Sequence, residues 1–399
     1  MNPAIHQLRP YAFTQLRARQ DELAARGVRL LNFGVGDPED ETPAFIRQAL
    51  IDAITPAGRY PTAAGLPELR AAVAAWIGRR FGVEVDPDRH VLPANGSKEA
   101  LYNLAPLLLD DPFGRRTREL VAVPELAYQV YADSALLHHA EVLPLPLDEH
   151  WLPDLNAITP AIGERLKLLW LNYPNNPTGA LAPLDYYREV LALADRYGFY
   201  VASDEAYSEL WYDDADEGGT QGPPPSLLQA AQASGFERVL VINTLSKRSN
   251  MTAYRTGFIA GDPAVIRVMK DVRPRIGVAT PEFIQRAAIA AWSDEQHVAQ
   301  QRARYAERRA LFLALFRRHG VQVEASQGAF YLWLRVPAWV PGRDSEAFAA
   351  RLLERGVIVL PGAFFGPRGR EYVRLAYVPK LEVCRQAVEI LERFLEEHA

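Results

Sequence analysis

A chain of 399 residues, 49% of them hydrophobic, is long enough to bury a sizeable core and to divide into two lobes. Its net charge of −5, with acids and bases interspersed and no basic tract, argues against a nucleic-acid partner. The single cysteine, Cys384, excludes an intrachain disulfide framework and CxxC metal sites. With no signal peptide and no apolar run near about 18 residues, the reading is a cytoplasmic protein without a metal or a membrane partner.

Along the chain, Gly34-Val35-Gly36-Asp37-Pro38 comes first and lacks the third glycine of a dinucleotide fingerprint. Asn95-Gly96-Ser97 follows, before a segment predicted helical from Lys98 with Leu101, Leu104 and Leu108 at helical spacing. Glycine lets a ligand approach the backbone, and the free N–H groups of a helix start suit a phosphate; a plain serine cap is the simpler alternative. Strands are predicted at 120–123, 167–171, 199–203, 239–243 and 257–260, with helical segments such as 183–197 between them. This alternation implies an α/β fold with a large, mostly parallel sheet covered by helices and ligands at the carboxyl ends of its strands. Beyond 262, helices predicted at 279–292, 294–319, 344–354 and 381–396 mix with strands at 322–323, 329–335, 357–360 and 372–376, the pattern of a smaller α+β domain. The acid-, glycine- and proline-rich stretch 212–226 is predicted to be a solvated loop, and the run 302–309 a solvated, salt-bridged helix face. His138-His139 reads as surface or helix packing, and Cys384 as a small buried hydrophobe.

Several motifs fall in turns that follow predicted strands. "YPNNPTG" at 173–179 is either only a rigid turn or a turn that aims the Asn176 amide at a ligand. "ASDEAYSEL" at 202–210 places Asp204 and Tyr207 three apart, on one face if a helical turn begins there. "TLSKRSNMTAYRTGF" at 244–258 then supplies Thr244, Ser246, Lys247 and Arg255. Only five of the 44 basic residues are lysine, so charge alone does not explain Lys247. A primary amine can condense with an aldehyde, which a guanidinium does not do under ordinary conditions.

In this order the motifs resemble those of the fold-type I, class I/II pyridoxal-phosphate-dependent aminotransferases, from "GVGDPEDETP" to "YVRLAYVP". Within that class, "SKRSN", "IAAWSDEQHV" and "GAFYLW" are most similar to N-succinyl-LL-diaminopimelate aminotransferases of lysine biosynthesis. The resemblance implies an N-terminal arm with part of a small domain at 1–47, a large cofactor-binding domain at 48–275 and a small domain at 276–399. It implies pyridoxal 5'-phosphate as cofactor, held covalently by Lys247, which also moves the proton at the substrate Cα. Asp204 would pair with the pyridinium nitrogen, Asn176 and Tyr207 would hold the ring oxygen, and Tyr128 would stack on the ring. The phosphate would lie between Gly96, Ser97 and Lys98 on one side and Thr244, Ser246 and Arg255 on the other, with Tyr60 reaching it from the neighbouring subunit of a homodimer. Arg374 would clamp the substrate carboxylate, with Gly36 and Asn176 beside it. The implied reaction is ping-pong amino transfer between glutamate and a 2-oxo acid, the succinylated diaminopimelate precursor first. Open alternatives are an aminotransferase for LL-diaminopimelate, alanine or aspartate, a carbon–sulfur β-lyase, and a non-catalytic cofactor-binding sensor.

Overall fold

The computed structural model describes residues 3–8, 13–56, 58–110, 119–214 and 218–398. Its strands in chain order are β1 (Leu31–Asn32), β2 (Val91–Ala94), β3 (Leu120–Pro124), β4 (Glu141–Leu145), β5 (Leu166–Asn172), β6 (Tyr200–Asp204), β7 (Val239–Thr244) and β8 (Gly257–Gly261). The later ones are β9 (Tyr331–Arg335), β10 (Val357–Ile358), β11 (Leu360–Pro361) and β12 (Tyr372–Ala376). Seven of them form one sheet in the order β2-β8-β7-β6-β5-β3-β4. β8 runs antiparallel to both of its neighbours, whereas the pairs from β7 to β4 are all parallel.

Nearly every residue of β5, β6 and β7 is buried, as a sheet covered on both faces requires. Alternate residues go to opposite cores. Leu169, Leu171, Val201 and Val241 pack with Trp76, Trp292 and Phe258, while Leu168, Trp170, Ala202 and Leu240 pack with Leu101, Leu104 and Tyr131. The crossover helix Leu184–Tyr197 carries its apolar stripe (Tyr187, Val190, Ala194) into the first of these cores and ends on left-handed Gly198.

A third core belongs to the three-stranded antiparallel sheet β11-β12-β9 and the helices Gln296–Arg318 and Leu381–Glu396. Phe33, Phe312, Leu332, Leu375 and Cys384 meet there. β1 pairs in parallel with β10, which ties the segment around residue 31 to this part of the molecule. No helix among the described residues is long and apolar enough to cross a membrane.

Some sequence expectations need correction. The strand predicted at 357–360 is two short strands, because the chain changes partner at Val359: β10 pairs with β1, and β11 with β12. The run 302–309 is solvated only in part: Ala303, Arg304 and Glu307 are exposed, whereas Tyr305, Arg308 and Arg309 are buried. One terminal nitrogen of Arg308 donates to both carboxylate oxygens of Asp40, at 2.8 and 2.7 Å, and Arg309 pairs with Asp214 at 2.6 Å, both arginine side chains being buried. A helix of 23 residues covered from two sides hides cations that its charge pattern suggests are wet. The stretch 212–226 is likewise anchored at both ends. Tyr212 and Ser226 are buried, and Ser226 caps the helix Leu227–Ala231, while 215–217 lie outside the described residues.

The Asp40–Arg308 pair fixes the segment that follows Gly36, so its loss leaves a shielded carboxylate without its cation. Arg308→Ala is expected to lower unfolding stability by about 3–5 kcal/mol in a denaturant titration. A loss below about 1 kcal/mol would mean that water already screens the pair.

Candidate active site

The carboxyl ends of the parallel strands open into a cavity of about 590 Å3. Each predicted motif reaches it from a strand end. Ser97 follows β2, Tyr128 follows β3, Asn176 follows β5, Asp204 closes β6, and Thr244, Ser246 and Lys247 leave β7. Arg255 arrives in a left-handed conformation (φ 52°) just before β8 turns back into the sheet. The opposite wall comes from the smaller sheet, which supplies Tyr331 from β9 and Arg374 from β12. Arg374 is registered against Trp333, two residues from Tyr331, so the two side chains are diagonal neighbours on one face.

Lys247 sits in a single helical turn, Leu245–Arg248, capped by the Thr244 hydroxyl, which accepts from the Ser246 N–H at 3.1 Å. Its Nζ donates to the Gly36 carbonyl at 2.7 Å. Burial pushes its pKa down to about 8; Asp37 and Asp204 oppose that shift, and Arg374 and Arg255 add to it. An appreciable fraction of the amine is therefore neutral near neutral pH, as a nucleophile and proton carrier needs. Asp204 is buried among apolar residues, which raises its pKa to about 6 against the lowering effect of its hydrogen bonds. Those bonds come from the Tyr131 hydroxyl at 2.8 Å and the Ala206 N–H at 3.2 Å, and the Tyr131 ring stacks on Trp170 at 4.9 Å.

Arg374 is held on several sides. It donates to Asn176 Oδ1 at 2.7 Å and to the Gly34 carbonyl at 2.6 Å, and its guanidinium carbon lies 4.2 Å from the Tyr331 ring centroid and 5.1 Å from that of Phe365. Tyr207 and Tyr331 share a hydrogen bond of 2.8 Å between their hydroxyls. Gly36 allows this closure, since a Cβ there would come within 2.1 Å of the Tyr331 oxygen.

These residues fit pyridoxal phosphate. Asp204 is a buried carboxylate that forms no ion pair among the described residues, so a pyridinium N–H would supply the missing cation. At the phosphate end, Gly96 has a positive φ of 76°, and a Cβ on it would fall 2.4 Å from an Arg255 nitrogen. The guanidinium thus lies against the start of the helix Ser97–Leu108, whose N-cap residue contributes no side-chain bond, and Arg255 forms no ion pair among the described residues. Among the described residues its nitrogens donate only to the Thr252 and Asn95 carbonyls, at 3.1 and 3.5 Å, and helix N–H groups beside a guanidinium without a carboxylate partner suit a phosphate. Thr244 Oγ1 accepts from the Ser246 N–H and lies 3.0 Å from both the Thr256 carbonyl and Ser246 Oγ, so the two hydroxyls belong to one hydrogen-bonded network at this end of the cavity.

One expected residue stands apart from this group. Tyr60 is fully exposed, at 101% relative accessibility, and does not line its own chain's cavity. Lys98 lines the cavity with its Nζ 5.6 Å from the centre of the Tyr128 ring. Sequence reasoning passed over Tyr131, Tyr331, Phe365 and Asp37 as site residues. Tyr131 had a readable signal, three residues after Tyr128 in "AYQVY". Tyr331 had none, because its place beside Arg374 comes from strand register.

The profile of the family described as aminotransferase class I and II matches residues 28–391. An LL-diaminopimelate aminotransferase from Dehalococcoides mccartyi is 37% identical over 402 aligned positions, covering 99% of this chain and 98% of that protein. A crystal structure of an aminotransferase from Neisseria meningitidis superposes with a TM-score of 0.89 at 34% identity, covering 99% of this chain and all of the other. A structure described as a probable N-succinyldiaminopimelate aminotransferase, from Thermus thermophilus, gives 0.86 at 30% identity over 96% of this chain and 100% of its own.

The raised pKa of Asp204 has a consequence for the cofactor-free protein. The folded state holds a proton on Asp204 up to about pH 6, whereas the unfolded chain releases it near 3.8, so this group's contribution to stability falls as pH rises through that window. The stability of the unmutated protein relative to Asp204→Asn should therefore worsen by up to about 3 kcal/mol between pH 4 and pH 7. Chemical unfolding of both cofactor-free proteins across that range measures it, and parallel pH profiles would contradict it.

Proposed function

This chain belongs to the class I and II aminotransferase family, uses pyridoxal phosphate, and, we propose, moves an amino group between LL-diaminopimelate and a 2-oxo acid, 2-oxoglutarate being the partner we favour. The reading of the reaction is carried by one observation: a lysine, Lys247, a buried guanidinium, Arg374, and a buried acid, Asp204, line one cavity.

When bound, pyridoxal phosphate supplies an aldehyde carbon for the amine and a ring that accepts the electron pair left at Cα. The chain's residues do the rest. Arg374 holds the α-carboxylate in its planar fork, and Asn176 and the Gly34 carbonyl hold Arg374, so the Cα–H bond is presented in a fixed direction. Lys247 Nζ lies at the wall of the same cavity and serves as the base that takes the Cα proton and returns it. Asp204 stabilises positive charge at the ring nitrogen, and Tyr131 keeps its carboxylate oriented. The fully exposed Tyr60 suits contact with a second subunit, and we assign it to the neighbour's phosphate in a homodimer.

The choice of substrate departs from the succinylated compound. The name of the Dehalococcoides relative favours the free diamino acid, although the Thermus structure keeps the succinylated one in view. The cavity adds a physical reason. Once Lys247, Asp204 and Arg255 serve the cofactor and Arg374 the α-carboxylate, the acid left on the lining is the exposed Asp37, which forms no ion pair among the described residues. A carboxylate there attracts the distal ammonium of LL-diaminopimelate and repels the added carboxylate of a succinyl group.

Purified, cofactor-loaded protein is expected to turn over LL-diaminopimelate with 2-oxoglutarate at a kcat/KM at least tenfold above that for N-succinyl-LL-diaminopimelate. Asp37→Asn should narrow that ratio while leaving glutamate turnover within about threefold. Preference for the succinylated compound would overturn the substrate, and failure with every amino acid would overturn the reaction.

A further inference from the structure

We propose that Tyr331 is a positioning residue for this reaction: its hydroxyl strengthens the grip of Tyr207 on the cofactor's ring oxygen, and its ring fixes the plane of Arg374. The inference rests on the proposed function, because it needs Tyr207 beside the cofactor.

The geometry ties three functional groups to one side chain. Tyr331 and Tyr207 are buried, with rings 5.5 Å apart at 69° and hydroxyls 2.8 Å apart. Phe330 stands against both, 5.4 Å from Tyr207 and 4.8 Å from Tyr331, and backs the two rings on the side of the core. The Tyr331 hydroxyl also occupies the space that any side chain at Gly36 would need. On its other side the ring carries the Arg374 guanidinium at 4.2 Å.

A hydroxyl donates only one hydrogen bond but can accept others. When Tyr207 donates to the cofactor, the 2.8 Å contact persists only with Tyr331 as the donor. Donation into the Tyr207 oxygen polarises its O–H bond and strengthens the bond it makes in turn. A stronger bond to the ring oxygen withdraws negative charge from it, and so lowers the proton affinity of the nitrogen that Lys247 supplies to the cofactor. The charged groups around the pair, Arg374, Asp204, Asp37 and Lys247, are the same with or without the Tyr331 hydroxyl.

Two substitutions separate hydroxyl from ring. Tyr331→Phe keeps the ring over Arg374 and should raise the midpoint of the pH titration of the loaded protein's visible absorption, measured without substrate, by roughly half a unit. Its KM for the amino acid should stay within about twofold. Tyr331→Leu removes the ring as well and should raise that KM at least fivefold. An unmoved midpoint in Tyr331→Phe would overturn the role of the hydroxyl, and an unchanged KM in Tyr331→Leu that of the ring. If the unmutated protein shows no visible band with added cofactor, the proposed function falls and this inference with it.

Discussion

The arrangement turns on a single unfavourable placement: an amine and a carboxylate, Lys247 and Asp204, sit in one cavity without a direct ion pair between them. Burial penalises the charge on each, pushing the lysine down to about 8 and the acid up to about 6. Neither shift helps the chain to fold. Both make sense once the cavity holds a molecule with an aldehyde at one end of a protonatable ring and a phosphate on an arm. Strain of this kind is maintained by the rest of the structure, as is usual where function rather than stability selects a residue's surroundings.

The maintenance is visible in the sheet. Five parallel strands, packed on both faces, deliver their carboxyl ends to one edge, so the side chains they bring to the cavity are attached to elements that cannot shift alone. The second sheet is joined to the first at the substrate end. Arg374 bonds to Asn176 of the large sheet's edge and to Gly34 of the amino-terminal segment, while Arg308 holds Asp40 a few residues on. Arg374 is thereby also one of the contacts that join the two sheets, together with the Tyr207–Tyr331 hydroxyl bond, so a carboxylate held by it would be oriented by the positions of both.

Much of this was legible in the sequence, for identifiable reasons. Runs such as "KLLWLN" are apolar throughout because both faces are covered, and turn residues such as Asn95-Gly96 and "NNPTG" stand at strand ends because ligand and turn make the same demands there. Lys247 was legible by chemistry, since its rarity among 44 basic residues asked for an explanation beyond charge. Whatever depends on pairing in space was not legible. Arg308 and Arg309 look solvent-facing until Asp40 and Asp214 are brought against them. Tyr331 acquires its neighbours only when β9 is set in register with β12. The substrate's far end was equally hidden, because the groups that read it lie on separate segments.

The central claim is that Lys247, and not the other lysine of the cavity, Lys98, carries the cofactor. Reduction of the cofactor-loaded protein with borohydride, followed by peptide mapping by mass spectrometry, tests it directly, because reduction makes the carbon–nitrogen bond permanent. The account predicts the modified residue in the peptide that contains Lys247. Modification at Lys98, or none at all, would contradict it.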